Sequence, residues 1–168
     1  MRDAGIPSKT DTDRGFDHGV FIPMLLAYPD ADIPTVAMSL RADLDAELHL
    51  KLGEALAPLR DEGVLIIGSG FSTHGFGARA SREDIARGSQ EFDKYLQRTV
   101  AADGVSATER RAGLVNWASA PGARLSHPRE EHLLPLHVVV GAAGDDKGTC
   151  IYNHQGAGGT VTSMFRFE

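Results

Sequence analysis

A chain of 168 residues provides for one domain, 1–168, and buries roughly two-thirds of its unfolded surface. Its 42% hydrophobic and 24% charged residues are those of a globular protein, and a net charge of −6 argues against nucleic acid, whose phosphates it would repel. The lone Cys150 rules out an internal disulfide, no apolar run reaches membrane-span length, and the opening residues lack a signal peptide's apolar core, so a cytoplasmic, membrane-free protein is expected.

The first fifteen residues are polar and turn-rich. "FDHGVFIPMLLAYP" then predicts a short helix, with Asp17 near its start, Pro23 inside it and Pro29 just past its end. "IPTVAMSL" (33–40) reads as a strand of the fully covered kind. In 43–63, Leu44, Leu48, Leu52, Ala55, Leu56 and Leu59 recur at helical spacing, and Gly63 closes the run. "VLIIGSG" (64–70) is the clearest strand, so strand, helix and strand predict a βαβ unit with a parallel pair. Helices are expected near 82–101 and 107–118, and a loop over 120–128 after the second of them. Pro128 is placed to open a last helix running to Ala142, bent but not broken by Pro135. "GTCIYNH" and "TVTSMFRFE" alternate as a closing pair of strands. The fold class is α/β: a mixed, partly parallel sheet covered by helices.

Function in open α/β sheets gathers in loops after the carboxyl ends of strands, which singles out His74 in "GSGFSTHG". Of seven histidines, His18, His74, His127 and His132 occupy placements to weigh. His49, His137 and His154 read as ordinary surface or hydrogen-bonded histidines, with His137 on the outward side of its helix. His132 shares a helical face with Leu136 and Val139 and lies beside Glu131, an arrangement that costs free energy unless paired or metal-bound. Helix capping by Glu130 and Glu131, with His127 as a loose cap, is the alternative. Imidazole and carboxylate without thiolate suit Zn, Fe(II) or Mn, although no H-E-x-x-H or zinc-finger spacing occurs. The chain contains no nucleophile elbow, and "GAGGTVT" lacks phosphate-loop spacing.

Three blocks, "RGFDHGVFIPMLLAYPDADIPTVAMSL", "LAPLRDEGVLIIGSGFSTH" and "HPREEHLLPLHVVVGAA", occur in the order found in class III (LigB-type) extradiol ring-cleavage dioxygenases, and the chain from Arg14 onward resembles their 4,5-DOPA dioxygenase-like branch. The resemblance implies a non-haem Fe(II) enzyme, with Zn possible in its place, that opens a catechol-type ring with O₂. It implies acid–base roles for His18 and His74, metal contact for His132 and His74, and Glu131 as a weaker donor. Asp17 would orient His18. It also implies an upstream half with "HGSP"-like and "AHW"-like histidines, neither of which is in this chain, so weak metal binding alone and either self-association or a complementing upstream chain are expected. A fold-retaining binding or scaffold protein and a metal-dependent hydrolase are the alternatives in other function classes.

Overall fold

The structure is a computed structural model that describes residues 5–75, 77–156 and 158–168. The first helix, α1 (His18–Ala27), starts where the Asp17 side chain accepts from Gly19 N–H at 3.0 Å. Apart from His18 its side chains are all apolar, it carries Pro23 as expected, and it buries none of its residues. Helix α2 (Ala46–Leu56) is capped by Asp45, whose carboxylate accepts from Leu48 N–H at 2.7 Å, and it runs into a 3₁₀ turn that Gly63 ends in the left-handed conformation. Helix α3 (Arg82–Leu96) continues through a π-helical turn to Ala101, and α4 (Ala107–Val115) opens with a full capping box between Ser106 and Glu109.

Two expectations fail between 120 and 134. The predicted loop contains one helical turn, α5 (Ala123–Ser126), and the last helix, α6, spans Leu134–Ala143 with Pro135 in its first turn. Pro128 does not open it. A proline within a helix removes one N–H and clashes with the carbonyl four residues earlier, here Glu131, so a helix begun at Pro128 could not pass Pro135. The chain turns instead, with Leu133 and Leu134 N–H both donating to Glu130 O.

The expected closing strands form: β1 (Gly148–Gln155) and β2 (Val161–Phe167) pair antiparallel, with an irregularity between Cys150 and Tyr152. The α/β class holds, but the parallel pair does not. Among the described residues the sheet is the two-stranded β1–β2 alone, and 33–40 and 64–70 are irregular chain without ladder partners. A ladder needs an adjacent strand and a covered face. Here Val36 is 94% exposed and Leu65 71%.

The core lies where α2 crosses α6, with Leu50, Phe92, Leu96, Val100, Leu114, Trp117 and Val140 buried together. Gly53 and Gly141 face each other's helices so closely that a Cβ at either would collide with backbone, Val138 O in one case and Leu50 O in the other. Side-chain-free contact there brings the two backbones together and fixes where α6 begins relative to α2. Among the described residues no helix is long and apolar enough to cross a membrane.

His137 is fully buried rather than outward-facing, and its Nε2–H donates to Leu114 O at 2.9 Å. Burial pushes this imidazole down from 6.5 to about 4, against the upward pull of the Leu114 and Leu133 carbonyls. The unfolded chain binds a proton near pH 6.5 that the folded chain refuses until about pH 4. The stability present above pH 6.5 is therefore lost across that window, by up to roughly 3 kcal/mol from this group. Urea unfolding from pH 7 to pH 4.5 should show a steeper loss for the wild type than for His137→Leu, which has nothing to protonate; equal slopes would contradict the assignment.

Candidate active site: histidines around a clamped loop

The loop 71–75 follows the apolar run 64–70 and is held at successive residues. Phe71 N–H donates to His132 O (2.9 Å) and His74 N–H to Ser126 O (2.7 Å). Between them, Ser72 O accepts from His127 Nε2–H (2.9 Å) and Ser72 Oγ accepts from Ser163 N–H of β2 (2.8 Å). The Ser163 hydroxyl in turn donates to the buried Asp93 carboxylate (2.5 Å), which also takes a hydrogen bond from Asn153 Nδ2 (3.0 Å). Gly70 allows the approach, since a Cβ there would strike His132 O.

This clamp brings His74 and His132 face to face, their ring centroids 3.6 Å apart and their planes within 8° of parallel. His18 is the first residue of α1, and the Ser69 hydroxyl donates to Gly19 O (2.5 Å), tying that helix start to the same loop. Desolvation lowers the His132 pKa, and the charges of His74 and His18 lower it further while Glu131 opposes them. The three histidines to which the resemblance gives roles, His18, His74 and His132, thus belong to one neighbourhood. Glu131 is paired with Arg129 (3.0 Å) on a half-exposed turn.

His132 is not on a helix, so the helical-face argument for it fails; the turn before α6 presents it instead. His127 is no loose cap. It is fully buried, edge-on to Phe92 (5.5 Å) and Trp117 (6.0 Å), and burial pushes it down to about 4. With Nε2–H donating to Ser72, its Nδ1 is a buried acceptor without a partner, as are the neighbouring hydroxyls of Thr73 and Ser126. Sequence reasoning missed Ser72, Asp93 and Ser163, and weighed His127 only as a loose cap. The signal it had for His127 was the following proline, which holds the preceding residue out of helical conformation; His127 is at φ −135°, ψ 86°.

Imidazole lone pairs lie in the ring plane, and a bound ion sits about 2 Å from nitrogen along that plane. Two rings stacked as His74 and His132 are cannot both aim a lone pair at one ion. Among the described residues, no group of three or more His, Cys, Asp or Glu converges as a metal site. The donors present therefore fit at most a single imidazole contact to a non-haem metal and do not fit a complete site.

The family described as the catalytic LigB subunit of aromatic ring-opening dioxygenase matches residues 1–167. A 4,5-DOPA dioxygenase extradiol of Beta vulgaris is 40% identical over 160 residues, covering 94% of this chain and 58% of that protein. Dioxygenase tasH of Hapsidospora irregularis is 38% identical over 164 residues, covering 92% of this chain and 50% of the relative. The crystal structure of the uncharacterized protein JW3007 from Escherichia coli K12 superposes with a TM-score of 0.76 at 32% identity, covering 96% of this chain and 67% of that one. The chain thus spans about half to three-fifths of the length of these curated relatives.

If the clamp positions the histidine pair, His127→Leu should lower stability at pH 7 by about 1–3 kcal/mol, because Ser72 O is left buried without a donor. The same variant should shift the His74 and His132 ring resonances as the stack loosens. Unchanged unfolding midpoints and ring shifts would contradict the clamp.

Proposed function

The chain belongs to the LigB family of aromatic ring-opening dioxygenases, and from that premise we propose that it forms the His18–His74–His132 wall of a site where a catechol-type ring is opened with O₂. The observation that carries this reading is the juxtaposition of His74 and His132 at 3.6 Å, with the charge of His18 felt at His132. The family generally uses a non-haem metal; Fe(II), with Zn as the substitute, is the ion this reading assigns, and His132 the imidazole of this chain nearest to a donor role. Because the donor set here is incomplete, the chemistry assigned to this chain is proton handling and orientation.

A catechol must lose hydroxyl protons before its ring is attacked, and a neutral imidazole within hydrogen-bond reach can take one. The environment of His132 favours its neutral form, which can accept a proton or donate a lone pair. His74, fixed by its backbone bond to Ser126, is placed to move a proton beside it. His18 enters from the α1 start, where the Asp17 carboxylate caps the helix and carries an ion pair to Arg14 (3.4 Å). The aromatic ring of Phe71, 6.4 Å from His74, supplies an apolar surface on the same side. No such grouping surrounds His49 or His137, whose ring nitrogens are taken up by backbone atoms. A binding-only role would need none of these imidazoles to exchange protons.

Titration with 4-nitrocatechol, followed by histidine-ring NMR, tests the reading. Saturable shifts are expected at His18, His74 and His132 but not at His137, and His132→Ala should weaken binding at least tenfold. His74→Phe should bind within a few-fold of wild type and lose the pH dependence of that binding. Shifts scattered over all seven histidines, or none, would refute the assignment.

A further inference from the structure

Four buried side-chain atoms among the described residues have no hydrogen-bond partner in the protein: Thr73 Oγ1, Ser126 Oγ, His127 Nδ1 and Arg110 Nε. Buried polar groups of a folded chain are nearly always paired, so each such atom calls for a reason. Arg110 is on α4, and its guanidinium is engaged at another nitrogen, which donates to Asp146 O (2.8 Å). The other three belong to two short segments, 72–74 and 126–127, that lie against each other. His74 N–H donates to Ser126 O (2.7 Å), and His127 Nε2–H donates to Ser72 O (2.9 Å). Every one of the three atoms is on a residue that makes one of those two bonds or sits between them. Scattered orphans would say little, but three in two cross-bonded segments point to a common partner.

Their chemistry narrows what that partner is. With its proton on Nε2, His127 presents Nδ1 as an acceptor alone, while each hydroxyl donates once and accepts twice. None of the three is hydrogen-bonded to another. Ser126 and His127 are fully buried and Thr73 is 8% exposed, so bulk solvent does not serve them. Two neutral hydroxyls and one imidazole are a poor donor set for a metal ion. A lone pair at Nδ1 would repel an anion. One water meets all three demands, donating to Nδ1 and accepting from both hydroxyls, and three is the usual number of bonds for a buried water.

We infer that Thr73, Ser126 and His127 enclose a binding site for one water molecule on the buried side of the loop that carries His74. The His127 ring is then held at both nitrogens, by Ser72 O at one and by the water at the other. Thr73 is tied to 126–127 between the two direct bonds, so the water supplies a third cross-link where the chain itself provides two. The inference uses neither metal nor substrate and stands apart from the ring-opening reading.

Oxygen-17 relaxation dispersion of the purified chain tests it by counting waters held for longer than the protein takes to tumble. Thr73→Val combined with Ser126→Ala should hold one such water fewer per chain than wild type, and Thr73→Ser, which keeps a hydroxyl, should hold the wild-type number. In wild type the nitrogen resonance of His127 Nδ1 should be that of an unprotonated, hydrogen-bonded ring nitrogen. In the double variant it should move toward the unbonded position. An equal water count in wild type and double variant would overturn the inference, as would a protonated Nδ1 or a loss in Thr73→Ser equal to that of the double variant. Should the double variant not fold, a crystal structure of wild type decides the matter. A water within hydrogen-bond distance of Nδ1 and both hydroxyls upholds the site; the Ser126 hydroxyl donating straight to Nδ1, or any other arrangement there, overturns it.

Discussion

The site depends on four hydrogen bonds that fix 71–74 against the α5–α6 connection and β2. Phe71, Ser72 and His74 each engage through the main chain, and Ser72 a second time through its hydroxyl. Singly, such bonds contribute about 1 kcal/mol, but those of the buried Ser72 and His127 join groups that would otherwise go unpaired, so losing one costs more than making it gains. They also set orientation. A loop bonded at alternate atoms along three residues has little freedom to rotate His74 away from His132. The clamp is in turn anchored on Asp93, through Ser163, so a carboxylate on α3 helps determine where an imidazole on a distant loop faces.

Much of this arrangement was readable in the residues. Helices expected over 43–63, 82–101 and 107–118 are found at 46–56 with a 3₁₀ turn to 62, at 82–101 and at 107–115; the first followed from apolar spacing and a terminal glycine, and the β1–β2 pair from alternation. His18, His74 and His132 were picked out in sequence and lie in one neighbourhood of the fold. What sequence could not supply was the effect of Pro135 on everything before it. Reading Pro128 as a helix start put His132 on a helical face, whereas the turn ahead of Pro135 presents it from irregular chain. His127 and His137 were misjudged for a different reason. Their burial comes from contacts far along the chain, with Ser72, Phe92 and Leu114, which no local pattern encodes.

The two runs read as strands show the same limit from the other side. "IPTVAMSL" and "VLIIGSG" have the composition of covered strands, but covering and pairing are properties of neighbours, and here they form no strand. With Val36, Leu65 and Ile67 open to solvent, composition and environment disagree over this one region, while they agree in the α2–α6 core. Conflict between local choices and their surroundings is where a reading from sequence alone fails.

Held as a stacked pair, His74 and His132 cannot close a metal site by themselves. The most direct measurement is iron retained per chain after anaerobic Fe(II) loading and gel filtration of this chain alone. Well under one iron per chain is the expected result. One tightly held iron would contradict it, because His74 and His132 would then have to unstack and converge with donors that the described residues do not bring together.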